Sequence, residues 1–366
     1  MRILFDGFWW VTGPVSNKQV MREFVLAWER EFPDDDLILA VPRSDLTAVR
    51  GQVPGRIRLV ATRLRPQGVS AIVELPFVAR RLGVDVTIVH NFTPLFGASA
   101  VFVHDLMFVT SPQWFTAKER LYFSLMTLTV GRARWVLTSS QSEANRISRL
   151  ARTRAEVTPI GLGLSRGLST AVPVRPAGLE DTESFVLTVG RLNARKNLAT
   201  CIDAALASGV VTPRNPLIIV GEPGGKKAPL PRAEADAVSS RAVRFLGFIT
   251  DDELAYLYAH ATVFLFLSLD EGFGMPNLEA LRFGAPIVAS DIPVFREILG
   301  SRARFVPPLD VEATAAAIRD AAGADRFDTI DIETLGYSWE LSARRMRTAV
   351  SGTAWIKKDE SIEFTE

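Results

Sequence analysis

The feature that most constrains the fold is an alternation of short, β-branched apolar runs with helical patterns. In the first half of the chain the apolar runs are residues 3–5, 37–41, 57–61, 86–89, 101–103 and 136–138. Helical periodicity lies between several of them, for example over residues 18–31 and 117–132. Buried strands that alternate with helices are typical of a parallel sheet covered on both faces, so the first half predicts such a sheet.

The same alternation repeats in the second half. Apolar runs occur at residues 185–189, 217–220, 243–246, 263–267, 287–289 and 304–306. Helical patterns separate them at residues 198–206, 251–259, 276–283 and 312–322, and a last one covers residues 339–350. Between the two series, residues 161–183 contain Gly161, Gly163, Pro173 and Pro176 and show little periodicity, which predicts a linker.

The chain length agrees with two domains. A chain of 366 residues is too long for a typical single core, and usual domains have about 150 to 200 residues. We expect one doubly wound, Rossmann-like α/β domain at residues 1–165 and a second at residues 166–336. Ligands of such sheets bind at the carboxyl ends of the strands, so a site is expected in the cleft between the domains.

Composition excludes several classes of protein. Hydrophobic residues make up 48% and charged residues 23%, which is typical of a globular chain and not of a disordered or fibrous one. No apolar run reaches the roughly 18 residues of a membrane span, and the opening MRILFDGFWW lacks a signal-peptide layout, so we expect a cytoplasmic protein. The single cysteine, Cys201, excludes an intrachain disulfide and a cysteine zinc cluster. The histidines His90, His104 and His260 are too scattered to predict a metal site.

Charge is unevenly distributed, although the net charge is only +1. Residues 1–165 carry 20 basic against 14 acidic side chains, a net of +6, whereas residues 166–366 carry 22 against 27, a net of −5. This asymmetry favours contact of the first half with anionic acceptors or with an anionic membrane surface. A mixed solvated surface is the alternative interpretation.

The strongest local signal is the stretch EGFGMPNLE, from Glu271 to Glu279, which follows an apolar run. Pro276 suits the first turn of a helix, and Gly272 and Gly274 allow the backbone to approach a ligand closely. Free amides at a helix start bind anions. Those available here belong to Gly274, Met275, Asn277 and Leu278.

Glu271 and Glu279 would repel a phosphate unless they face its uncharged neighbours, such as sugar hydroxyls. Glu271 lies just ahead of the expected helix and Glu279 about one turn inside it, so they could accept hydrogen bonds from two different sugars of one ligand. The alternative is that both carboxylates only complement the positive end of the helix.

The second signal is GRLNARKN, residues 190–197, which follows the apolar run at 185–189 and opens a helix. Arg191 and Lys196 fall in the strand-to-helix connection, where a cationic pair can neutralise a diphosphate. Arg195 is expected to point into solvent. In the alternative interpretation these basic residues are merely solvated, as they are in most loops.

Two features of the first half are also candidates for contact with a ligand. His104 and Asp105 follow the apolar run at 101–103, and His104 is the best candidate there for contact with a sugar, with a purely structural role as the alternative. Gly13, in the stretch VTGPVSNK, could bring backbone close to a donor phosphate or to an acceptor. An ordinary turn before a helix is the alternative.

Together, four elements resemble the retaining glycosyltransferase family four. They are the E-x7-E element from Glu271 to Glu279, the Gly190-Arg191…Lys196 turn, the His104-Asp105-Leu106 step and the segment VRFLGF at residues 243–248. The resemblance covers most of the chain and is densest from residue 185 to residue 300. It implies a GT-B fold, in which two Rossmann-like domains face each other across a cleft. It also implies that a terminal helix at about residues 337–352 packs back on the first domain.

The resemblance further implies roles for individual residues. The implied catalytic residues are His104 near the transferred sugar, Arg191 and Lys196 on the diphosphate, and Glu271 on the donor sugar. Glu279 would contact the ribose, and the nucleobase would lie beside residues 246–248. The other implied donor-binding residues are Gly13, Gly190, Leu246, Gly247, Phe248, Phe273, Gly274, Met275, Pro276, Asn277 and Leu278. No metal and no other cofactor is implied.

The activity implied is transfer, with retention of configuration, of a hexose-type sugar of the mannose, rhamnose or glucose class. The expected partners are a nucleotide-diphosphate sugar and a glycan or lipid-linked acceptor, as in cell-surface polysaccharide biosynthesis. Peripheral contact with the inner membrane surface is a further expectation, and nucleic acid is not an expected partner. Two alternatives stay open: a sugar-nucleotide epimerase of the same fold, and a non-catalytic nucleotide-sugar-binding partner subunit.

The sequence departs from the family pattern in the first loop. Family members often carry a glycine-rich run with an aromatic residue there. This chain has only Gly13 and Pro14 before residues 15–18, so Gly13 is the single glycine at the position of the family's glycine-rich run.

Overall fold

The computed structural model describes residues 1–182, 184–222, 238–326 and 328–352. Two parallel sheets form its framework, which confirms the predicted fold class. The strands of the first sheet are β1 (Arg2–Asp6), β2 (Asp36–Pro42), β3 (Arg58–Thr62), β4 (Val86–His90), β5 (Ser99–Phe102), β6 (Trp135–Thr138) and β7 (Val157–Pro159). Those of the second are β8 (Val186–Val189), β9 (Leu217–Val220), β10 (Val243–Gly247), β11 (Val263–Phe266), β12 (Ile287–Ser290) and β13 (Arg304–Val306).

Helices connect the strands and cover the sheets. In the first half they are α1 (Val15–Glu31), α2 (Leu46–Arg50), α3 (Gln67–Val69), α4 (Leu75–Leu82), α5 (Met107–Thr110), α6 (Ala117–Thr129) and α7 (Gln141–Leu150). From the connection onward they are α8 (Arg166–Ser169), α9 (Leu198–Ala207), α10 (Asp251–His260), α11 (Met275–Arg282), α12 (Pro293–Leu299), α13 (Val311–Ala322) and α14 (Trp339–Ser351). A π-helical turn, Ser70–Glu74, joins α3 to α4. None of the described helices is both long and apolar enough to span a bilayer.

Both sheets are doubly wound. The first has the strand order β3-β2-β1-β4-β5-β6-β7 and the second has β10-β9-β8-β11-β12-β13. The order reverses between β1 and β4 in the first sheet and between β8 and β11 in the second. At such a switch point the loops leave in opposite directions and open a crevice at the carboxyl ends of the strands. In the second sheet this crevice lies between the loops that follow β8 and β11.

The core explains why the strands read as continuous apolar runs. Every residue of β4, β11 and β12 is buried, since helices cover both faces of each sheet. Helix α1 contributes large side chains on its inner face, and the ring of its Trp28 packs edge-on against Phe5 of β1 at 5.6 Å between centroids. Cys201 is buried on α9, as expected.

Most predicted strands are confirmed with small shifts. β5 occupies Ser99–Phe102 and not residues 101–103, because the polar Ser99 pairs with Thr87 at the start of the strand. β7 was missed, since its three residues follow a charged stretch. Helices α4, α7 and α12 were also missed. The ten residues of α7, QSEANRISRL, are mostly polar and show only a narrow apolar stripe.

The connection between the sheets is packed, unlike a loose linker. Leu162, Leu164 and Leu168 are buried within residues 161–183, and α8 lies in the same stretch. Gly163 lies so close to the last helix that a Cβ there would approach the backbone nitrogen of Trp339 to 2.7 Å.

Helix α14 returns to the first sheet and lies against α1. Two ion pairs join these helices, Arg30 to Glu340 at 2.7 Å and Arg344 to Glu31 at 2.5 Å. A third joins Arg347 of α14 to Asp35, just after α1, at 3.0 Å. The Trp339 ring packs edge-on against Phe24 at 5.6 Å between centroids. Helix α14, which follows the second sheet, is therefore anchored on the first half of the chain.

Candidate active site

The loops after β8 and β11 meet at the switch point of the second sheet. Gly190 follows β8 with a φ of 150°, and a Cβ there would lie 2.9 Å from Cε of Lys196. The chain then makes a 3-10 turn over Ala194–Lys196, capped by Asn193, and α9 begins at Leu198. A glycine at position 190 thus allows Lys196 to fold back over the end of β8.

Glu271 is the centre of a charge cluster in these loops. Its Oε1 accepts a hydrogen bond from Lys196 Nζ at 2.7 Å, and its Oε2 pairs with Arg195 Nη1. Arg195 also donates to the carbonyl of Asp270 at 2.9 Å. Burial opposes ionisation, but Arg195 and Lys196 outweigh it and lower the pKa of Glu271 to about 2. The carboxylate is therefore ionised at neutral pH.

The cations of this cluster differ from those expected. The expectation that Arg195 points into solvent is wrong, because its guanidinium lies in the loop crevice beside Glu271 and Asp270. Arg191 is instead exposed. Lys196 lies over the ring of Phe266, with Nζ 4.2 Å from the centroid, and burial lowers its pKa.

Helix α11 begins at Met275, directly after Gly274 in a left-handed conformation with a φ of 95°. Pro276 occupies the first turn, as predicted. The backbone amide of Asn277, which was predicted to be free for an anion, instead donates to the carbonyl of Gly274 at 2.9 Å. Leu278 and Asn277 are buried, and Asn277 finds no hydrogen-bond partner for its side-chain amide within the described residues. This side-chain amide therefore has hydrogen-bonding capacity that the described residues leave unused.

Glu279 lies one turn inside α11 and is buried. The hydroxyl of Tyr258, on α10, donates to its Oε2 at 2.7 Å. Burial raises the pKa of Glu279 to about 7, and the Tyr258 hydrogen bond only partly offsets this effect. The carboxyl of Glu279 thus holds its proton much more readily than that of Glu271.

The remaining residues predicted for the second domain surround this crevice at different depths. Gly247 ends β10 with a φ of 68°, and its carbonyl accepts from the amide of Gly221 at 3.0 Å. Leu246 is half-buried, whereas Phe248 is 77% exposed and available for stacking. Phe273 is buried and packs edge-on against Tyr337 at 5.5 Å between centroids.

His104 lies opposite Glu271, at the end of β5 in the first sheet. Its backbone carbonyl approaches the second domain so closely that a Cβ at Gly272 would lie 2.6 Å from the oxygen. Its Nε2 lies 3.2 Å from Nδ1 of His90, which ends β4. Burial lowers the pKa of His104 to about 3, so the imidazole is neutral at physiological pH.

Sequence reasoning missed His90 and the role of Trp9. His90 and His104 are 14 positions apart, yet the adjacent strands β4 and β5 bring their rings together. The available signal was a histidine at the carboxyl end of each strand. Trp9 lies against both imidazoles with centroids 6.2 Å away, and a Cβ at Gly13 would lie 2.8 Å from Trp9 Cδ1. Gly13, with a φ of 132°, thus belongs to the wall beside the histidines.

The start of α7 makes direct contacts between the two domains. The hydroxyls of Ser139 and Ser140 donate to the carbonyl of Gly272 at 3.0 and 2.8 Å. Glu297 accepts from the amides of Gln141 at 2.7 Å and Ser142 at 2.9 Å. These contacts hold the Glu271 loop against the first domain.

A second ionic link lies one turn further along α7. Arg146 pairs with Asp270 at 2.5 Å, directly next to Glu271, and with Glu143 at 3.1 Å. Burial, reinforced by Asp105, raises the pKa of Glu143 to about 8. The charges of both domains therefore form one connected network around the Glu271 loop. Within the described residues, no group of three or more potential ligands could hold a metal ion.

Comparison with known proteins agrees with this geometry. Residues 174–324 match the family Glycosyl transferases group 1. The chain is 28% identical to O-antigen chain mannosyltransferase B of Escherichia coli over 251 residues, 65% of this chain and 66% of that protein. It is also 28% identical to O-antigen chain mannosyltransferase RfbU of Salmonella typhimurium over 231 residues, 63% of each chain. The match thus spans slightly less than two thirds of these relatives.

Solved structures share the fold across almost the whole chain. Sucrose-phosphate synthase of Thermosynechococcus elongatus has a TM-score of 0.62 at 19% identity and covers 96% of this chain and 94% of its own. The lipopolysaccharide outer core galactosyltransferase WaaB has a TM-score of 0.64 at 16% identity, with 96% and 99% coverage. The two Rossmann-like domains and these structural neighbours lead to one conclusion: the chain has the GT-B fold, and residues 174–324 within it are similar to the group 1 glycosyltransferases.

Proposed function

We propose that the chain is a retaining glycosyltransferase that moves a hexose-type sugar from a nucleotide-diphosphate donor to a glycan or lipid-linked acceptor. The observation that carries the proposal is the Lys196–Glu271–Arg195 cluster beside the start of α11. A diphosphate needs cations and amide donors, and a sugar needs a carboxylate that accepts from its hydroxyls. The cluster offers all three within one crevice.

Breaking the bond to the sugar develops negative charge on the leaving phosphate. Lys196, Arg195 and the amides at the start of α11 would stabilise this charge. The side chains of Lys196 and Arg195 are only 15% and 21% exposed, so solvent weakens their effect little. Arg191 is exposed at the same turn and could close on the diphosphate from outside. Glu271, already ionised, would hold a hydroxyl of the transferred sugar.

Retention of configuration follows if the acceptor attacks from the face that the diphosphate leaves. In this mechanism the departing phosphate removes the acceptor proton. His104 would contact the transferred sugar as a neutral donor or acceptor, since its pKa is about 3. Glu279 would accept from the ribose, and Leu246, Gly247 and Phe248 would lie beside the nucleobase. The proposal includes no metal cofactor.

The relatives favour mannose within the hexose class. Two of them are named O-antigen chain mannosyltransferases, which supports a mannosyl donor and a role in cell-surface polysaccharide synthesis. Rhamnose and glucose remain the other donors within the proposal. The acceptor would enter on the side of the first domain, near Trp9 and the histidine pair, and the protein would act in the cytoplasm.

The test begins with a thermal-shift screen of nucleotide sugars, because a ligand of the folded state raises the melting temperature. The best donor is then incubated with glycan and lipid-linked acceptors, and the anomeric configuration of the product is determined by NMR. A product with the anomeric configuration of the donor sugar supports the proposal, and an inverted product refutes retention.

The two alternatives give different results in the same assay. An altered sugar on an intact nucleotide, formed without acceptor, would identify an epimerase. Donor binding with no turnover on any acceptor would identify a non-catalytic binding subunit. Turnover that survives a chelator supports a metal-independent reaction, whereas loss of turnover that added magnesium restores would contradict that part of the proposal.

A further inference from the structure

His90, at the end of β4, is a buried histidine to which the proposed reaction gives no role. Only 2% of this residue is exposed, and its Nδ1 lies 3.2 Å from Nε2 of His104. The two rings stack with an interplanar angle of 25° and centroids 5.3 Å apart. His104 itself is half-buried. One nitrogen of the imidazole that is proposed to contact the sugar is therefore occupied by a second imidazole.

The ring of His90 is held in place by its surroundings. Phe24 lies nearly parallel to it at 6.2 Å between centroids, and Phe102 packs edge-on against it at 5.8 Å. The backbone carbonyl of His90 accepts a hydrogen bond from Nε2 of Gln67 at 3.0 Å. Because close packing leaves a buried ring little room to turn, His90 presents Nδ1 to His104 in a fixed direction.

The next residue, Asn91, holds the backbone of His104. Oδ1 of Asn91 accepts from the amide of His104 at 3.1 Å, and the amide of Asn91 donates to the carbonyl of Phe102 at 2.9 Å. Asn91 has a φ of 65°, a left-handed conformation that is disfavoured for residues other than glycine. Such strain is retained where the surrounding structure requires it, and it is frequent at functional sites. His90 and Asn91 thus fix His104 at its ring and at its backbone.

The contact between the two rings is a hydrogen bond with one donor and one acceptor, because both imidazoles are neutral. Burial holds the pKa of His90 well below its ordinary value and lowers that of His104 to about 3. Within the part of the chain that the structure describes, Nε2 of His90 has no hydrogen-bond partner. Buried N–H groups without a partner are rarer than buried acceptors without one, so the proton of His90 belongs on Nδ1.

We propose that His90 is a positioning residue for sugar transfer: its Nδ1–H donates to Nε2 of His104 and thereby places the proton of His104 on Nδ1. The ring nitrogen of His104 that remains for a ligand is then a hydrogen-bond donor. Glu271, on the other side of the crevice, is ionised and can only accept. The transferred sugar would thus meet a donor on one side and an acceptor on the other. This inference rests on the proposed function, because it assigns His104 a donor role towards that sugar.

The tautomer of His104 can be measured without any ligand. The ¹⁵N chemical shift separates a protonated ring nitrogen from an unprotonated one, and the chain has only three histidines. NMR spectra of the full chain with ¹⁵N-labelled histidine, assigned with variants of His90 and His260, should show His104 protonated on Nδ1 and unprotonated on Nε2. A protonated Nε2 in His104, or an equal mixture of the two tautomers, would overturn the inference.

Two variants of nearly equal shape isolate the hydrogen bond. In His90→Asn the side-chain amide takes the place of Nδ1 and can donate to His104, whereas His90→Leu has the same branching without a donor. His90→Leu should lower kcat for transfer about tenfold and leave nucleoside diphosphate affinity intact, because the diphosphate lacks the sugar. His90→Asn should recover most of this loss. Equal losses of kcat in the two variants, at the wild-type melting temperature, would show that His90 contributes packing alone and would contradict the proposal.

A double-mutant cycle shows whether His90 acts through His104. His90→Leu should have no further effect on kcat in a chain that already carries His104→Ala, since the group it positions is gone. A loss of the same size in both backgrounds would also contradict the proposal. His260→Leu is the control, because His260 is exposed and its Nδ1 bonds to the carbonyl of Tyr256 at 2.9 Å. It should change neither kcat nor the signals of His104.

These outcomes separate the inference from the proposed function. A chain that shows the expected tautomer and transfers no sugar contradicts the proposed function, while the hydrogen bond from His90 to His104 stands. A chain that transfers sugar and shows the opposite tautomer overturns only the role of His90.

Discussion

At the residue scale, a variant of Glu271 can separate binding of the donor sugar from binding of the nucleotide. Its carboxylate contacts Lys196 at 2.7 Å and also contacts Arg195. Each oxygen keeps a second lone pair that can accept a hydrogen bond from a ligand hydroxyl. We expect Glu271→Gln to keep or raise nucleoside diphosphate affinity, because Lys196 and Arg195 lose a competing carboxylate. The variant should lower kcat/KM for the donor roughly 10- to 150-fold, as for the loss of about 1.5 to 3 kcal/mol. Calorimetric titration with diphosphate and steady-state kinetics with donor measure the two effects. Equal losses for both ligands would remove Glu271 from the sugar.

Glu271 also stabilises the fold in a pH-dependent way. Burial tends to raise its pKa, but Arg195 and Lys196 hold it at about 2, below the ordinary value of 4.5. Because the folded pKa is the lower one, this stabilisation is present above about pH 4.5 and disappears as the pH falls towards 2. Urea unfolding should show that Glu271→Gln costs about 3 kcal/mol at pH 7 and progressively less below pH 4.5. The exposed Glu312→Gln serves as the control for removing a surface carboxylate.

Glu279 should behave in the opposite way. Burial raises its pKa from 4.5 to about 7, so the folded protein binds the proton more tightly than the unfolded chain and loses stability as the pH rises through this interval. Glu279→Gln lacks this penalty and should gain about 3 kcal/mol relative to the wild type between pH 5 and pH 8. The variant should also bind nucleoside diphosphate more weakly if the carboxylate holds the ribose. A stability difference that is independent of pH would contradict the raised pKa.

At the element scale, the start of α11 depends on Gly274. Its φ of 95° disfavours any side chain, and a Cβ there would lie 2.7 Å from Cε1 of Phe295 on α12. Gly274→Ala should therefore cost about 2 to 4 kcal/mol of unfolding free energy and weaken diphosphate binding, because the amides of α11 would be displaced.

Gly300→Ala is the matched control for this element. Gly300 also has a positive φ, 55°, but a Cβ there meets only the flexible end of Arg302 at 3.5 Å. It should cost about 1 kcal/mol in urea unfolding and leave diphosphate binding intact. Similar losses in the two variants would show that the contact with Phe295 does not matter.

At the scale of the whole molecule, Glu297 links the two domains through the start of α7. It accepts from the amides of Gln141 and Ser142, at the positive end of the helix. Glu297→Ala should shift the balance between closed and open arrangements about tenfold or more towards open, as for loss of a charged hydrogen bond. Small-angle X-ray scattering should then show a larger radius of gyration, and the kcat for transfer should fall. Glu312→Ala should change neither quantity, and an unchanged scattering curve for Glu297→Ala would contradict a role in closure.

The sequence by itself determined the two doubly wound sheets and the two loops at their switch point. These properties are local: apolar runs and helical periodicity mark buried strands and helices, and glycine or proline at positions such as Gly190, Gly274 and Pro276 marks where a strand gives way to a helix start. Elements with weak apolar patterns escaped this reasoning. Helix α7 is mostly polar and has only a narrow apolar stripe, yet residues at its start hydrogen-bond to the second domain.

Only the tertiary structure decided which side chains face the crevice. Glu271 pairs with Arg195 and Lys196, some 75 positions away, while Arg191 of the same turn lies outside. Glu297 reaches α7 across 155 or more positions. Spacing along a chain determines which residues share a loop, but the orientation of each side chain and its partner depends on packing between elements that are distant in sequence. For that reason the residue types of the site could be predicted, and their pairing could not.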